Sequence, residues 1–408
     1  MTALAQDPRD LRILLLENIH ASAREMLAAE GLRVETLNGA LREDELLARL
    51  EGVHILGIRS KTQVRKEVLS QAKSLMAVGA FCIGTNQIDL ADANLAGVPV
   101  FNAPFSNTRS VAELVIAEIV LLARQLGDRS REVHAGTWRK VASGCYEVRG
   151  KTLGIVGYGH IGSQVGVLAE AMGMRVVSFD IRTTMSIGNA RALDLLDELL
   201  AASDFVTLHV PETPQTKNLM GRRELGKMKP GSYLINASRG TVVDIEALAD
   251  AVRSGHIAGA AVDVYPEEPE TNSDGFVTAL QGLPNVLLTP HIGGSTEEAQ
   301  AAIGREVAIS LLRYIEQGTT TGAVNFPGAE LPRADQTHRL VNVHRNVPGV
   351  LRDINRIVSD RNANIRSQLL ATDNNVGYLI MDLDSDVVRE VSSDIAALQT
   401  SIRTRVLE

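Results

Sequence analysis

Midway along the chain, a run of strand-forming residues at 152–156 passes without a break into Gly157-Tyr158-Gly159-His160-Ile161-Gly162, and a helical stretch over 163–172 follows. That order admits few folds. Gly157 supplies a tight turn, Gly159 lets a backbone approach a pyrophosphate, and Gly162 lets the helix pack closely on the strand. The helix N-terminus then presents unpaired N–H groups to phosphate oxygens. A second strand, 175–179, ends in Asp180. Its carboxylate suits both hydroxyls of an adenosine ribose and repels a 2′-phosphate, so the expected cofactor is NAD. Arg182, two residues on, is the one feature that would accommodate NADP. The unit is Rossmann-type, with parallel strands covered by helices.

Because this fingerprint begins near residue 157, an α/β series of its own precedes it. Strands are expected at 12–16, 53–58, 76–80 and 98–101, with a helix at 21–30. The apolar helix at 110–124 suits a connection between two domains. A second α/β series runs from 152 to about 292, and a helix at 297–317 returns to the first domain. Residues 318–338, rich in Gly, Thr and Pro, read as a linker. The last seventy residues change rhythm: strand 340–344, helix 348–360, strands 365–371 and 377–383, helix 387–398 and strand 402–407. That order, β-α-β-β-α-β, is ferredoxin-like. The expected class is α/β, with two doubly wound domains and a small C-terminal module.

Length and composition agree. At 408 residues the chain exceeds one ordinary core. It is 45% apolar and 22% charged, as in water-soluble globular proteins. A net charge of -8 argues against a nucleic-acid partner. Only Cys82 and Cys145 are present, without a CxxC or a Cys/His cluster, so no disulfide framework and no metal are expected. No run approaches the ~18 apolar residues of a membrane span, and residues 1–10 lack the apolar core of a signal peptide. The expected location is cytoplasmic, with no membrane partner.

Three segments carry chemistry: Asn236-Ala237-Ser238-Arg239-Gly240, Glu267-Glu268-Pro269 and Pro290-His291-Ile292-Gly293-Gly294-Ser295. An arginine, a carboxylate and a histidine suffice to take hydrogen from a 2-hydroxy acid. The arginine holds the substrate carboxylate in a charge-assisted fork. The histidine takes the hydroxyl proton as general base, and the carboxylate orients it. The residues alone leave Glu267 and Glu268 in competition. The segment Gly57-Ile58-Arg59-Ser60-Lys61-Thr62 places Arg59, Ser60 and Lys61 at a strand end, where they suit carboxylate or phosphate oxygens. Arg139 and Lys140 follow the only tryptophan, Trp138, and would add charge at a neighbouring subunit's site. In the C-terminal module, His344-Arg345-Asn346-Val347-Pro348-Gly349 joins a strand to a helix whose free N–H groups suit a carboxylate. His344 and Asn346, with Asn364, would bind an amino acid between two paired modules.

The motifs VGYGHIG (156–162), INASRGTVVD (235–244), AVDVYPEEP (261–269), TPHIGGST (289–296) and VHRNVPGVL (343–351) resemble the D-isomer-specific 2-hydroxyacid dehydrogenases, in the form with a C-terminal ACT domain. The likeness covers essentially the whole chain. It implies an NAD domain (105–294) inserted in a flavodoxin-like substrate domain (1–104 and 295–325), a linker at 326–338 and an ACT domain at 339–408. It implies Arg239 as substrate anchor, His291 as acid/base and Glu268, immediately before the proline, as its partner. It adds cofactor contacts at His160, Ile161, His209, Ala237, Ser238, Asp263, Gly293 and Gly294, and a substrate contact at Asn107. The implied reaction is oxidation of 3-phospho-D-glycerate to 3-phosphohydroxypyruvate, the first step of L-serine synthesis, with L-serine as effector and a homotetramer as assembly. Some relatives also reduce 2-oxoglutarate. Two other readings stay open: a dehydrogenase for another D-2-hydroxy acid, and an NAD-sensing corepressor.

Overall fold

The computed structural model describes all residues except 1–3, 6–9, 183–184, 270–273, 385–386 and 408. It forms two compact units, one of residues 107–299 and the other of residues 1–106 with 300–408. In chain order the strands are β1 (Leu4–Ala5), β2 (Arg12–Leu15), β3 (Arg33–Thr36), β4 (Ile55–Ile58), β5 (Ala77–Ala80) and β6 (Val100–Asn102). Then come β7 (Thr152–Val156), β8 (Arg175–Phe179), β9 (Arg191–Ala192), β10 (Phe205–Leu208), β11 (Ser232–Asn236), β12 (Ile257–Val262) and β13 (Val286–Leu288). The last four are β14 (His338–Arg345), β15 (Ile365–Thr372), β16 (Val376–Leu383) and β17 (Ser401–Leu407).

The unit of residues 107–299 holds one seven-stranded parallel sheet in the order β13-β12-β11-β10-β7-β8-β9. Strand order reverses between β7 and β10, and in open α/β sheets the crevice beyond the strand ends at such a point takes the ligand. Buried on both faces, the central strands are nearly all apolar, as covered parallel strands must be. The helix Thr108–Ala123 lies on one face, packed on helix His160–Ala171. That second helix starts at His160 rather than at 163, with Gly159 as its cap, so the phosphate loop is three residues shorter than its sequence suggested.

The other unit has two sheets. The parallel one, β3-β2-β4-β5-β6, has the flavodoxin-like order 2-1-3-4-5. The second, β1-β17-β14-β16-β15, is the βαββαβ module with one added edge: β1 pairs in parallel with β17, so the chain's first strand joins its last. Side chains alternate along β14. Leu340 faces the module's own helices, Val350–Asp360 and Val388–Ala396. Val341 and Val343 face the other way, into a core they share with Leu11, Ile13 and Phe101 of the parallel-sheet half and with Tyr314 of helix Glu297–Gln317. The two halves of this unit therefore have one common core.

The segment 318–338 is consequently no loose tether. Thr319, Thr320, Phe326 and Ala329 are buried, and Phe326 packs edge-on against Tyr378. Tyr378 donates its hydroxyl to Gly318 O at 2.7 Å. Arg339 and Asp382, both fully buried, form a two-pronged ion pair of 2.7 and 2.8 Å. The third nitrogen of Arg339 donates to Gln317 O and Leu331 O. Gly and Thr gave the segment its loop-like composition, but its backbone is tied down at both ends.

Candidate active site

The phosphate loop follows β7. Gly157 has φ +92°, which favours glycine, and a Cβ there would overlap His209 O. A Cβ at Gly162 would overlap Gly157 O, whereas nothing lies within 4 Å of that position at Gly159. The loop is thus closed from behind and open in front, and no side chain caps the helix that follows. Asp180, at the end of β8, accepts from Tyr158 N at 2.8 Å and from Arg182 N at 2.9 Å. It therefore stands beside the loop, where a ribose would meet it. His160 and Ile161 open the helix. These residues fit a dinucleotide. Gly162→Ala is expected to weaken NADH binding at least about tenfold with the far-UV spectrum unchanged, since the added methyl must displace backbone. Fluorescence titration with NADH reads the loss.

His209 turns inward. Its Nε2 meets Thr207 Oγ1 at 3.0 Å, its Nδ1 is buried without a partner, and burial pulls it down to about 3. It is a neutral ring folded back on its own strand. Its carbonyl, rather than its imidazole, borders the phosphate loop.

Beyond β11, Asn236 shapes the next turn: its Oδ1 accepts from Ser238 N and Oγ, and its Nδ2 donates to Arg239 O. Gly240 is needed because any Cβ would overlap the Tyr265 backbone. This turn carries Ala237, Ser238 and the half-buried Arg239, whose Nη1 donates to Ser238 O. Glu268 Oε1 accepts from Tyr265 N at 3.1 Å, and its Oε2 meets His291 Nδ1 at 2.8 Å. Of the two competing glutamates, Glu268 is the one that touches the histidine, while Glu267 points to solvent.

His291 sits at φ +54°, a left-handed conformation uncommon outside glycine. Asp263 holds the loop in that shape. Its Oδ1 accepts from Thr289 Oγ1 at 2.6 Å and Ile292 N at 2.8 Å, its Oδ2 accepts from Gly293 N at 2.8 Å, and its carbonyl accepts from His291 N at 2.8 Å. Asp263, which the resemblance gives as a cofactor contact, has a buried carboxylate with both oxygens engaged by the loop. The Glu268 hydrogen bond raises His291 above the ordinary 6.5, outweighing burial and the Arg239 charge. Burial opposes ionisation of Glu268, yet His291, Tyr265 N and Arg239 together hold it below the ordinary range. Arg239, Glu268 and His291 are thus electrostatically coupled at the carboxyl ends of β11 and β12.

The other expected residues divide. Asn107 begins helix Thr108–Ala123, with its Nδ2 against Gly294 and its Oδ1 buried without a partner. Lys140 stands exposed in a loop, and among the described residues nothing in its own chain ties it to the trio. Arg59 and Ser60 follow β4 in the other unit. The 59–62 loop owes its shape to Glu17, unremarked in the sequence, whose carboxylate accepts from Lys61 N at 3.0 Å and Thr62 N at 2.8 Å. The effector residues are not together in one chain. His344 is buried, pairs with Gly377 across β14 and β16, and meets Asn342 Oδ1 at 2.9 Å. Asn346 donates to Asp373 O at that same end. Asn364 lies at the far end of β15 and bonds Asp384, about 20 Å along the strands. Among the described residues no acid, His or Cys cluster suits a metal ion, and no helix is long and apolar enough to cross a membrane.

A family model described as "D-isomer specific 2-hydroxyacid dehydrogenase, NAD binding domain" matches residues 116–293. The chain is 54% identical over 401 residues to D-3-phosphoglycerate dehydrogenase of Dictyostelium discoideum, covering 98% of each. It is 50% identical to the protein of that name from Escherichia coli strain K12, over the full length of both. The chain belongs to the D-isomer-specific 2-hydroxyacid dehydrogenases. It is an NAD-dependent oxidoreductase of that family, and its C-terminal module matches an "AHAS small subunit-like ACT domain" over residues 340–403. Among solved structures, D-lactate dehydrogenase from Aquifex aeolicus, complexed with NAD and lactic acid, superposes with a TM-score of 0.65 at 26% identity, covering 74% of this dehydrogenase and 95% of that chain. The TT0316 protein of Thermus thermophilus gives 0.67 at 34% identity, covering 74% and 96%.

Proposed function

We propose that this dehydrogenase oxidises 3-phospho-D-glycerate to 3-phosphohydroxypyruvate, the first step of L-serine synthesis. The reading rests on the His291–Glu268 pair beside Arg239, taken with full-length relatives that bear the name of that activity. With Nδ1 committed to Glu268, His291 is left with Nε2 to accept the C2 hydroxyl proton. Arg239 holds the substrate carboxylate, and Arg59, Ser60 and Lys61 offer donors for the phosphate. When bound, NAD is the two-electron acceptor for the hydrogen on C2. The Gly157–Gly159 loop would hold its pyrophosphate, with Gly162 letting the helix pack behind it, and Asp180 would hold its ribose.

Oxidation needs neutral His291, so its rate rises as pH passes upward through the raised imidazole value; reduction needs the imidazolium and falls over the same range. Glu268→Gln removes the main cause of that raise. Both limbs are therefore expected to move toward acid, and pH–rate profiles in the two directions check it. Unmoved limbs would remove Glu268 from this role.

Assembly and regulation complete the reading. An open apolar groove of about 560 Å³, lined by Ile116, Ala117, Val120, Leu121 and Leu168, favours a second copy at the cofactor unit. Contact there, and between ACT modules, makes the tetramer. L-serine binds between two paired modules, where Asn346 of one faces Asn364 of the other and His344 backs the Asn346 turn. The site at His291 and Arg239 also reduces 2-oxoglutarate as a side reaction. NADH oxidation with 3-phosphohydroxypyruvate and a panel of other 2-keto acids, with and without L-serine, tests these statements. Preference for another acid would reassign the substrate, and indifference to serine would leave the ACT module an assembly element.

A further inference from the structure

The helix Thr108–Ala123 buries an acid that the chemistry above does not use. Glu118 is 2% exposed, and neither of its carboxyl oxygens has a hydrogen-bond partner. A buried carboxylate with no donors is costly, so such a group persists as the neutral acid or not at all. Its place gives it a task. A methyl at Gly293 would lie 3.0 Å from Asp263 Oδ2, 3.5 Å from Val111 and 3.7 Å from Leu114. The helix therefore rests on the His291 loop, and Ser110 Oγ meets Thr296 Oγ1 at 2.8 Å to fix its start. Glu118 follows Leu114 by four residues and Val111 by seven, on the same helix face.

Asp263 is the charge that Glu118 meets there. From β12 and the turn after it, Asp263 and Tyr265 are the groups in electrostatic reach of the acid. β11 adds Tyr233 to this layer, while helix His160–Ala171 and β13 present apolar Val165, Ala169 and Leu287, and helix Leu126–His134 puts no residue in this core. We propose that Glu118 is a positioning residue for His291: as the neutral acid it leaves Asp263 the single charge anchoring the catalytic loop, and its ionisation sets the upper pH limit of turnover. Burial, reinforced by Asp263, pushes Glu118 up to about 8. Above that pH two buried carboxylates repel each other, and the lasting arrangement is one in which the helix or the Asp263 anchor yields. The proposal rests on His291 being the acid/base group.

The test compares the unchanged enzyme with Glu118→Gln and Glu118→Met, two neutral replacements of similar size. For oxidation at saturating hydroxy acid and NAD, kcat of the unchanged enzyme is expected to rise through the His291 limb and then fall about tenfold per pH unit above about 8. Both variants should keep the rise and lose the fall. Superimposable profiles would overturn the proposal.

Thermal midpoints give a second readout without substrate. An acid whose folded value is raised contributes stability below its ordinary 4.5 and loses it as pH climbs toward about 8. The advantage of either variant should therefore grow over that window and stay level beyond it. A pH-independent difference would also overturn the proposal, as would a growing difference with no alkaline fall in kcat. A missing acid limb in all three enzymes would count against His291 instead, and the midpoints would still decide Glu118.

Discussion

Changing His291 to asparagine is expected to lower kcat by about 10²–10⁴-fold in both directions, the range over which a positioned general acid/base acts. Asparagine is the informative choice because position 291 has φ +54°, a conformation that asparagine tolerates better than most residues. The loop should then keep its Asp263 hydrogen bonds, and only the titrating ring is lost. NADH binding, which the proposal assigns to the glycine loop and Asp180, is expected to stay within about threefold of its original strength. Stopped-flow or steady-state turnover with the keto acid, beside fluorescence titration of NADH, separates the two quantities. A loss of less than about tenfold would place the proton transfer on another group.

The largest expected effect on stability comes from Asp382→Ala. Arg339 and Asp382 are fully buried, and the aspartate takes two of the guanidinium's hydrogen bonds. Removing it leaves a charge in the interior with only the Gln317 and Leu331 carbonyls as company. Breaking such a pair from one side costs about 3–5 kcal/mol, because the remaining ion keeps its desolvation penalty. Replacing both partners together, Arg339→Met with Asp382→Leu, should recover most of that loss, since apolar packing substitutes well for a buried pair. Urea unfolding followed by circular dichroism distinguishes the outcomes. Equal destabilisation by the single and double changes would show that the unpaired charge of Arg339 is not what the single change costs.

Which parts were legible in the sequence follows from how far apart the interacting residues lie. The phosphate loop and the turn at Asn236 are local, so a few adjacent residues specify them. His291 and Glu268 were nameable as types, although only the fold brings Nδ1 to Oε2. Long-range ties left no such trace. Glu17 holds a loop more than forty residues away through two backbone N–H groups. A two-residue strand near the start, β1, completes a sheet made by the last residues. Residues 318–338 have the composition of a tether, but their threonines and Phe326 are buried in contacts that composition does not encode. The clamp that Asp263 forms on the His291 loop was not legible either, because a carboxylate's type does not say which donors reach it.

The common core of the parallel-sheet half and the ACT sheet bears on what becomes of the enzyme when its last module is removed. Cutting the chain after Gln317 would bare Phe101, Tyr314 and the apolar strip around them, which Val341, Val343 and Tyr378 now cover. The product would be a sticky, aggregating fragment rather than a free-standing catalyst. Whatever the module does is therefore to be probed by side-chain changes at its rim, with the polypeptide left whole.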